Sequence, residues 1–255
     1  MKRIIFDIGM HKGDDACFYI EKGFRVVAVE AFPNYVAEAR IKFAAEIEGG
    51  QLVLVERAVT DAEGQTVTFY EDMQKDDGHT IRQDYVAPHL SAGTGRYRAL
   101  SVASTTLHRL FDEYGVPYYL KCDIEGADAQ VLDQLIRDNR RPEFVSFEVA
   151  NVDVIHKIKA AGYRSFQLVN QWLNPTLPMP DPPKEGSLVI KQFNGHMSGL
   201  FGRELPADKW MDHDRVAMLF EAWRTVSNID SRFATPGWAD CHASMLSGDE
   251  LISYP

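Results

Sequence analysis

Asp7, Gly9 and Gly13, followed by Glu30, form the first set of residues whose types and spacing could do chemistry. The glycines fall where the apolar run "RIIFDI" gives way to a helical pattern. Glycine lets a backbone turn sharply and lets a ligand approach with no Cβ in the way. Glu30 ends the next apolar run, "RVVAVE", where a carboxylate can accept both hydroxyls of an adenosine ribose. The pair points to a nucleoside-containing ligand. A pyrophosphate would call for G-x-G-x-x-G against a helix N-terminus. This turn reads D-x-G-x-x-x-G and is followed by Asp14 and Asp15, acids that repel phosphate and suit an ammonium group. S-adenosylmethionine meets these terms, with its ribose on Glu30, its amino-acid end near Asp7 and Gly9, and its adenine against Ala58 and Val59. Met10 and Ala31, beside the turn and the acid, join the cofactor-binding set.

A second group of acids follows. Asp123 and Glu125 lie at the end of "YYLKCDI", and Glu148 near the end of "EFVSFEV". Residues two apart on a continuing strand share a face, so Asp123 and Glu125 are expected to point the same way. A hydroxyl that acts as a nucleophile must shed a proton, and a carboxylate within hydrogen-bond reach serves that step. Glu125 and Glu148 are therefore candidate catalytic residues together with Asp123; Glu125 has the competing role of capping the next helix. His11, inside the glycine turn, either reaches substrate or bonds a backbone carbonyl. Asp240 and His242, in "WADCH", read either as a substrate-side acid–imidazole pair or as a surface salt bridge. Trp172 opens the proline-rich "QWLNPTLPMPDPP" and offers a flat substrate-side surface. No metal site is expected, because the acids do not reach the density a divalent cation needs.

These residues need elements to position them. Strand and helix patterns alternate through the first 150 residues, as a parallel sheet with crossover helices requires. Helices are expected over Asp14 to Lys22, Asn34 to Glu48, Thr105 to Tyr114, Ala127 to Asn139 and Val152 to Ala161. "QLVLVERAV" is the third strand and "TVTFYE" an added strand or hairpin, whereas residues 72–97 read as a long loop. "SFQLVN" and "SLVIKQF", joined by prolines that exclude a helix, are expected to form an antiparallel pair. The fold class is thus α/β, a seven-stranded, mostly parallel sheet with helices on both faces and an antiparallel last strand. Residues 1–192 are read as the cofactor domain. Residues 193–255, with one convincing helix over Arg215 to Val226, are read as an extension packed on it. In that extension "GHMSGLFG" reads as a surface turn or a lid hinge, and Trp210, Trp223 and Trp238 as packing residues.

Composition narrows the partners. The net charge of −10 among 255 residues argues against nucleic acid or an anionic membrane, both of which reward clustered Lys and Arg. Three widely spaced cysteines form no metal or disulfide pattern and suit a reducing, cytoplasmic setting. A small-molecule substrate is the expected partner, and oligomeric state is not readable.

At "YLKCDIEGADAQVL" the chain resembles the FkbM family of methyltransferases. "FDIGMHKGDDACFY", "VVAVEAFP", the Ala58-Val59-x-Asp61-x-x-Gly64 stretch and Lys121-x-Asp123-x-Glu125-Gly126 carry the likeness over residues 3–150. The resemblance implies a Rossmann-like class I fold, S-adenosylmethionine as cofactor and methyl transfer, usually to oxygen, with Asp7, Gly9, Gly13, Glu30 and Asp123 on the cofactor side. A sugar or small polyhydroxylated metabolite is the acceptor it suggests. Met10-His11-Lys12 replaces the family's smaller turn residues, and His108 stands where an aspartate is common. Those departures sustain the alternative of an inactive S-adenosylmethionine-binding sensor or partner subunit.

Overall fold

A computed structural model describes residues 3–230 and 237–252. Its main sheet is built from β1 (Ile4–Ile8), β2 (Arg25–Glu30), β3 (Leu52–Glu56), β7 (Tyr119–Cys122), β8 (Phe144–Glu148), β9 (Ser165–Asn170) and β10 (Ala239–Ser244), in the order β3-β2-β1-β7-β8-β10-β9. All neighbours are parallel except β10, which runs antiparallel to both β8 and β9. Order reverses beside β1, so the crevice outside the carboxyl ends of β1 and β7 is where such a sheet receives a ligand.

The strands are short, apolar and buried on both sides, as a sheet covered by helices demands. Phe6, Ile8, Leu120, Val145, Cys241 and Ala243 face a core closed by α5 (Leu107–Tyr114), α6 (Asp128–Arg137), α7 (Val152–Ala160) and α8 (His213–Ile229). Ile5, Val26, Ala28 and Tyr119 face the other core, under α1 (Asp14–Glu21), α2 (Pro33–Lys42) and the Phe193–Leu205 segment. That segment is also tied by a fully buried ion pair, Lys22 Nζ to Glu204 Oε1 at 2.5 Å.

Several elements differ from the sequence expectation, each for a physical reason. The helix after β2 is two helices, α2 and α3 (Ala44–Glu48), broken at Phe43, whose buried ring packs beside Gly13. The third strand leaves the sheet after Glu56. Its tail becomes β4 (Ala58–Val59), which pairs with β6 (Tyr97–Thr105) in a small second sheet completed by β5 (Thr66–Asp72). The stretch read as a long loop contains α4 (Gln83–Ser91), which buries only Val86 and holds Pro88, so its periodic signal is weak. "SLVIKQF" is not a strand. The place beside β9 is taken by β10, the "ADCHAS" segment, which has no β-branched residue and pairs on both edges. Pairing partners, rather than intrinsic propensity, decide that choice. The last strand is therefore antiparallel as expected, but it is residues 239–244. No helix among the described residues is long and apolar enough to cross a membrane.

Candidate active site

A cavity of about 330 Å³ opens at the carboxyl ends of β1, β2, β7 and β8. One end is formed by the glycine turn. Gly9 and Met10 donate their backbone N–H groups to the Val29 carbonyl at 3.0 and 3.1 Å, which folds the turn over β2. Gly9 has φ +81°, and a Cβ there would lie 1.8 Å from the Asp123 carbonyl oxygen. Only glycine lets the two loops meet at this distance.

Glu30 is buried against this turn. Its Oε2 accepts the His11 backbone N–H and its Oε1 accepts the Phe32 N–H, both at 2.8 Å. Burial raises its pKa, and the backbone donors of Phe32, His11 and Ala31 pull the other way. Each oxygen keeps a further lone pair for a ligand hydroxyl. Beyond Glu30, Ala31, Ala58, Val59, Phe69 and Ile81 make an apolar wall suited to a purine. The cavity size, that wall and the fixed carboxylate fit S-adenosylmethionine.

Asp7 and Gly13 shape the turn from behind and do not line the cavity. Asp7 is fully buried beside Lys121, its register partner on β7, with 3.3 Å between Oδ1 and Nζ. The same Nζ donates to the Gly9 carbonyl at 2.7 Å and lies 4.0 Å from Asp15 Oδ2. Burial works against the ammonium, but Asp7, Asp123 and Asp15 outweigh it and hold its pKa well above lysine's usual value. Lys121 thus couples the buried acids to the turn. Gly13, at φ +74°, caps α1 and leaves room for the Phe43 ring, which an added Cβ would meet at 2.6 Å.

His11 sits at φ +55°, a strained conformation for a non-glycine residue, imposed by the turn. Its Nε2 lies 3.0 Å from the Asp76 carbonyl, and its ring packs on Tyr35 and His196. The competing carbonyl role is the one the geometry gives it. Tyr35 Oη and Lys12 Nζ also bond Asp76, so residues 76–81 form a strap over the cofactor end of the cavity. From the extension, Gly195 to Ser198 reach the same rim. They are held by Asp15, whose two oxygens accept the Ser198 N–H at 3.1 and 3.0 Å.

The far end is acidic. Ligand oxygens of Asp123, Glu125 and Glu148 lie within 4.8 Å of one another. The strand ends at Cys122, so alternation along β7 is not what unites Asp123 with Glu125. A turn with Glu125 at φ +50° and Gly126 at φ +85° brings Glu125 into the cavity. Glu125 does not cap α6. Asp128 instead accepts the N–H groups of Ile124 and Gly126 at 3.4 and 3.2 Å. Burial, then the charges of Asp123 and Glu148, push the Glu125 carboxyl up to about 9. Burial and Asp123 raise Glu148 to about 8.

Asp240 and His242 belong to β10, not to a surface loop, and do not form a salt bridge. Because β10 runs antiparallel, its beginning lies at the ligand edge, and Asp240 lines the cavity. His242 lies deeper, 1% exposed, with no hydrogen bond to either ring nitrogen and a pKa lowered by burial to about 3. Trp172 is exposed and lies off the cavity; Trp238, read from sequence as a packing residue, lines it. His108 also lies elsewhere, in a surface cluster with Asp138 and Arg140. Sequence reasoning missed Lys121 as a tether, the 76–81 strap and Trp238. Lys121 alone carried a usable signal, since it is the first residue of the K-x-D-x-E-G motif.

The FkbM methyltransferase domain matches residues 7–165. No curated protein matches the chain. Among solved structures, a precorrin-6Y C5,15-methyltransferase from Geobacter metallireducens is similar at 14% identity, over 66% of this chain and 67% of that one, with a TM-score of 0.38. The C-terminal domain of the Rhodobacter capsulatus precorrin-6Y enzyme gives 10% identity, 66% of each chain and a TM-score of 0.38. An S-adenosylmethionine-dependent methyltransferase from Geobacter sulfurreducens, solved with S-adenosyl-L-homocysteine, gives 12% identity over 95% of this chain and 83% of that one, with a TM-score of 0.37. The family match, covering more than half the sequence, carries the assignment: the chain belongs to the FkbM methyltransferase domain family and is an S-adenosylmethionine-dependent methyltransferase.

Proposed function

We propose that the chain methylates a hydroxyl oxygen of a neutral, polyhydroxylated small molecule of sugar type. The observation that carries this reading is the acidic end of the cavity, where Asp123, Glu125 and Glu148 converge, with Asp240 and Trp238 on the lining of the same cavity. Carboxylates accept hydrogen bonds from sugar hydroxyls, and an indole face covers the apolar side of a pyranose. A phosphorylated acceptor would be repelled by the same acids.

Bound S-adenosylmethionine supplies a methyl group on a sulfonium, which leaves as a neutral thioether when the acceptor oxygen forms its new bond to carbon. The chain's own work is alignment and proton removal. Glu30 and the Gly9 turn fix the nucleoside end, and the acceptor is held in line by the opposite wall, so effective concentration supplies most of the rate. The acceptor's proton passes to a carboxylate of the acidic end. Of the raised carboxyls Glu148, at about 8, is the better matched to that task, because it is basic enough to take a proton and is still partly ionised near neutral pH.

The test is a methyl-transfer assay with labelled S-adenosylmethionine and a panel of neutral sugars, cyclitols and their glycosides, with the labelled product mapped by mass spectrometry. An alkali-stable O-methyl ether on one acceptor supports the reading. Labelling only of amines or carboxylates contradicts it. Cofactor binding with no turnover on any acceptor class would favour the inactive binding module instead.

A further inference from the structure

We propose that Asp123, Glu125, Glu148 and Asp240 hold a divalent cation at the acceptor end of the cavity. Three of these carboxylates already place oxygens within 4.8 Å of one another. Two oxygens trans across an ion are separated by twice the metal–oxygen distance, about 4.1 Å for Mg²⁺ and about 4.6–5.2 Å for Ca²⁺. The cluster thus spans a hard cation of this class with no rearrangement of the backbone. All its donors are carboxylate oxygens, which select Mg²⁺, Mn²⁺ or Ca²⁺ over softer metals.

Asp240 supplies an independent indication. It is 6% exposed, lines the same cavity, and its side chain makes no hydrogen bond or ion pair among the described residues. Buried charged groups are ordinarily paired. It stands directly opposite Glu148 in the antiparallel β8–β10 register, so the two side chains project from one face as neighbours. Like charges so placed destabilise a sheet unless something offsets them. The nearby buried cation, Lys121, is committed to Asp7, Asp15 and the Gly9 carbonyl. The side chains of Asp123, Glu125 and Glu148 likewise make no hydrogen bond and no ion pair within 4.0 Å among the described residues, and the Lys121 charge reaches Asp123, Glu148 and Asp240 only from farther off. Three clustered carboxylates with a fourth on the same cavity wall outnumber the single buried ammonium near them, and a cation would balance that excess. An ion there would draw the acceptor's hydroxyl oxygens toward the methyl group and make them more acidic.

The inference is separable from the hydroxyl-acceptor reading, because it is tested without turnover. Mn²⁺ is titrated into the full chain and its free signal followed by electron paramagnetic resonance, with S-adenosylhomocysteine binding measured by calorimetry on the same preparation. The expected result is one Mn²⁺ per chain with a dissociation constant of roughly 10–1,000 µM, displaced by Mg²⁺. Glu148→Gln and Asp240→Asn should each weaken it at least about tenfold. Thermal unfolding of both variants checks that they fold. Glu125→Gln, in a turn rather than a strand, serves the same purpose should either fail. S-adenosylhomocysteine binding without saturable Mn²⁺ binding up to about 5 mM would overturn the cation site alone. Mn²⁺ binding unchanged in all three variants would overturn it as well.

Discussion

Asp240 and Glu148 face each other across the antiparallel β8–β10 junction of the main sheet, at the edge where the cofactor cavity opens. One comes from β10 and the other from β8, strands far apart in the sequence. Residues 239–244 therefore supply an inner strand of the main sheet and line the cavity with a carboxylate. In the absence of divalent cation this arrangement works against the folded state, because burial and mutual repulsion favour the protonated acids.

That cost gives a pH dependence with a definite sign. Glu148 and Glu125 have folded pKa values of about 8 and about 9, above the value of 4.5 for a free glutamate. The unfolded chain releases these protons first, so stability is greatest below about pH 5 with respect to these two groups and falls as pH rises toward 9. In chelator-treated protein, Glu148→Gln should flatten this slope and raise the midpoint at pH 8 by about 2–4 °C for each kcal/mol relieved. Thermal scans of both proteins from pH 5 to 9 provide the check. A native profile rising over this range would contradict the assignment.

Gly9 should not tolerate a side chain. With φ at +81° and the Asp123 carbonyl oxygen 1.8 Å from where a Cβ would stand, Gly9→Ala must move the turn or the β7 loop. A loss of roughly 2–4 kcal/mol is expected from strain and overpacking together. Cofactor affinity should fall with it, because Glu30 is held by the next residues of the same turn. Denaturant unfolding and calorimetry of the variant measure both effects.

Lys121 is predicted to be structural before it is chemical. Lys121→Met leaves Asp7 and Asp15 buried without their counter-charge and frees the Gly9 carbonyl. Removing one partner of such a cluster costs roughly 3–5 kcal/mol. Combining it with Asp7→Asn should recover part of that loss, which a double-mutant cycle would register as coupling. Additive losses would show that the two residues act separately.

His242 is predicted to be dispensable for turnover. Neither ring nitrogen has a partner, and the ring stacks 6.4 Å from Tyr119 inside the core. Replacing an unsatisfied buried polar group with an apolar one of similar size is neutral or stabilising by about 1 kcal/mol. His242→Met should therefore keep its activity and lose no stability. A tenfold drop in turnover in a well-folded variant would place His242 in the site after all.

The cofactor half of this site was legible because its chemistry is local. Gly9, Gly13 and Glu30 stand at strand ends that apolar runs announce, and the motif around Asp123 lies in one short stretch. The acceptor half was not, because it depends on pairing across long separations. Asp240 looks like a loop residue until β10 finds its place between β8 and β9, and nothing in "ADCHAS" advertises a strand. "SLVIKQF" carries the stronger local signal and yet joins neither sheet. The same logic hid Trp238, which reaches the cavity only because β10 begins there. Along the chain the acids around Asp123 and Glu148 read as too sparse for a cation, and only the fold shows that Asp240 shares their cavity wall.

Calorimetric titration of the native protein and the Glu30→Ala variant with S-adenosylmethionine and S-adenosylhomocysteine tests the cofactor site most directly. Glu30 gives the ribose a buried carboxylate that the His11 and Phe32 N–H groups hold in place. Both ligands are expected to bind the native chain, with a loss of about 10–100-fold in the variant, the worth of hydrogen bonds to a charged group. Equal affinity in the two proteins would contradict the placement of the cofactor on Glu30, and no binding to the native chain would contradict the site itself.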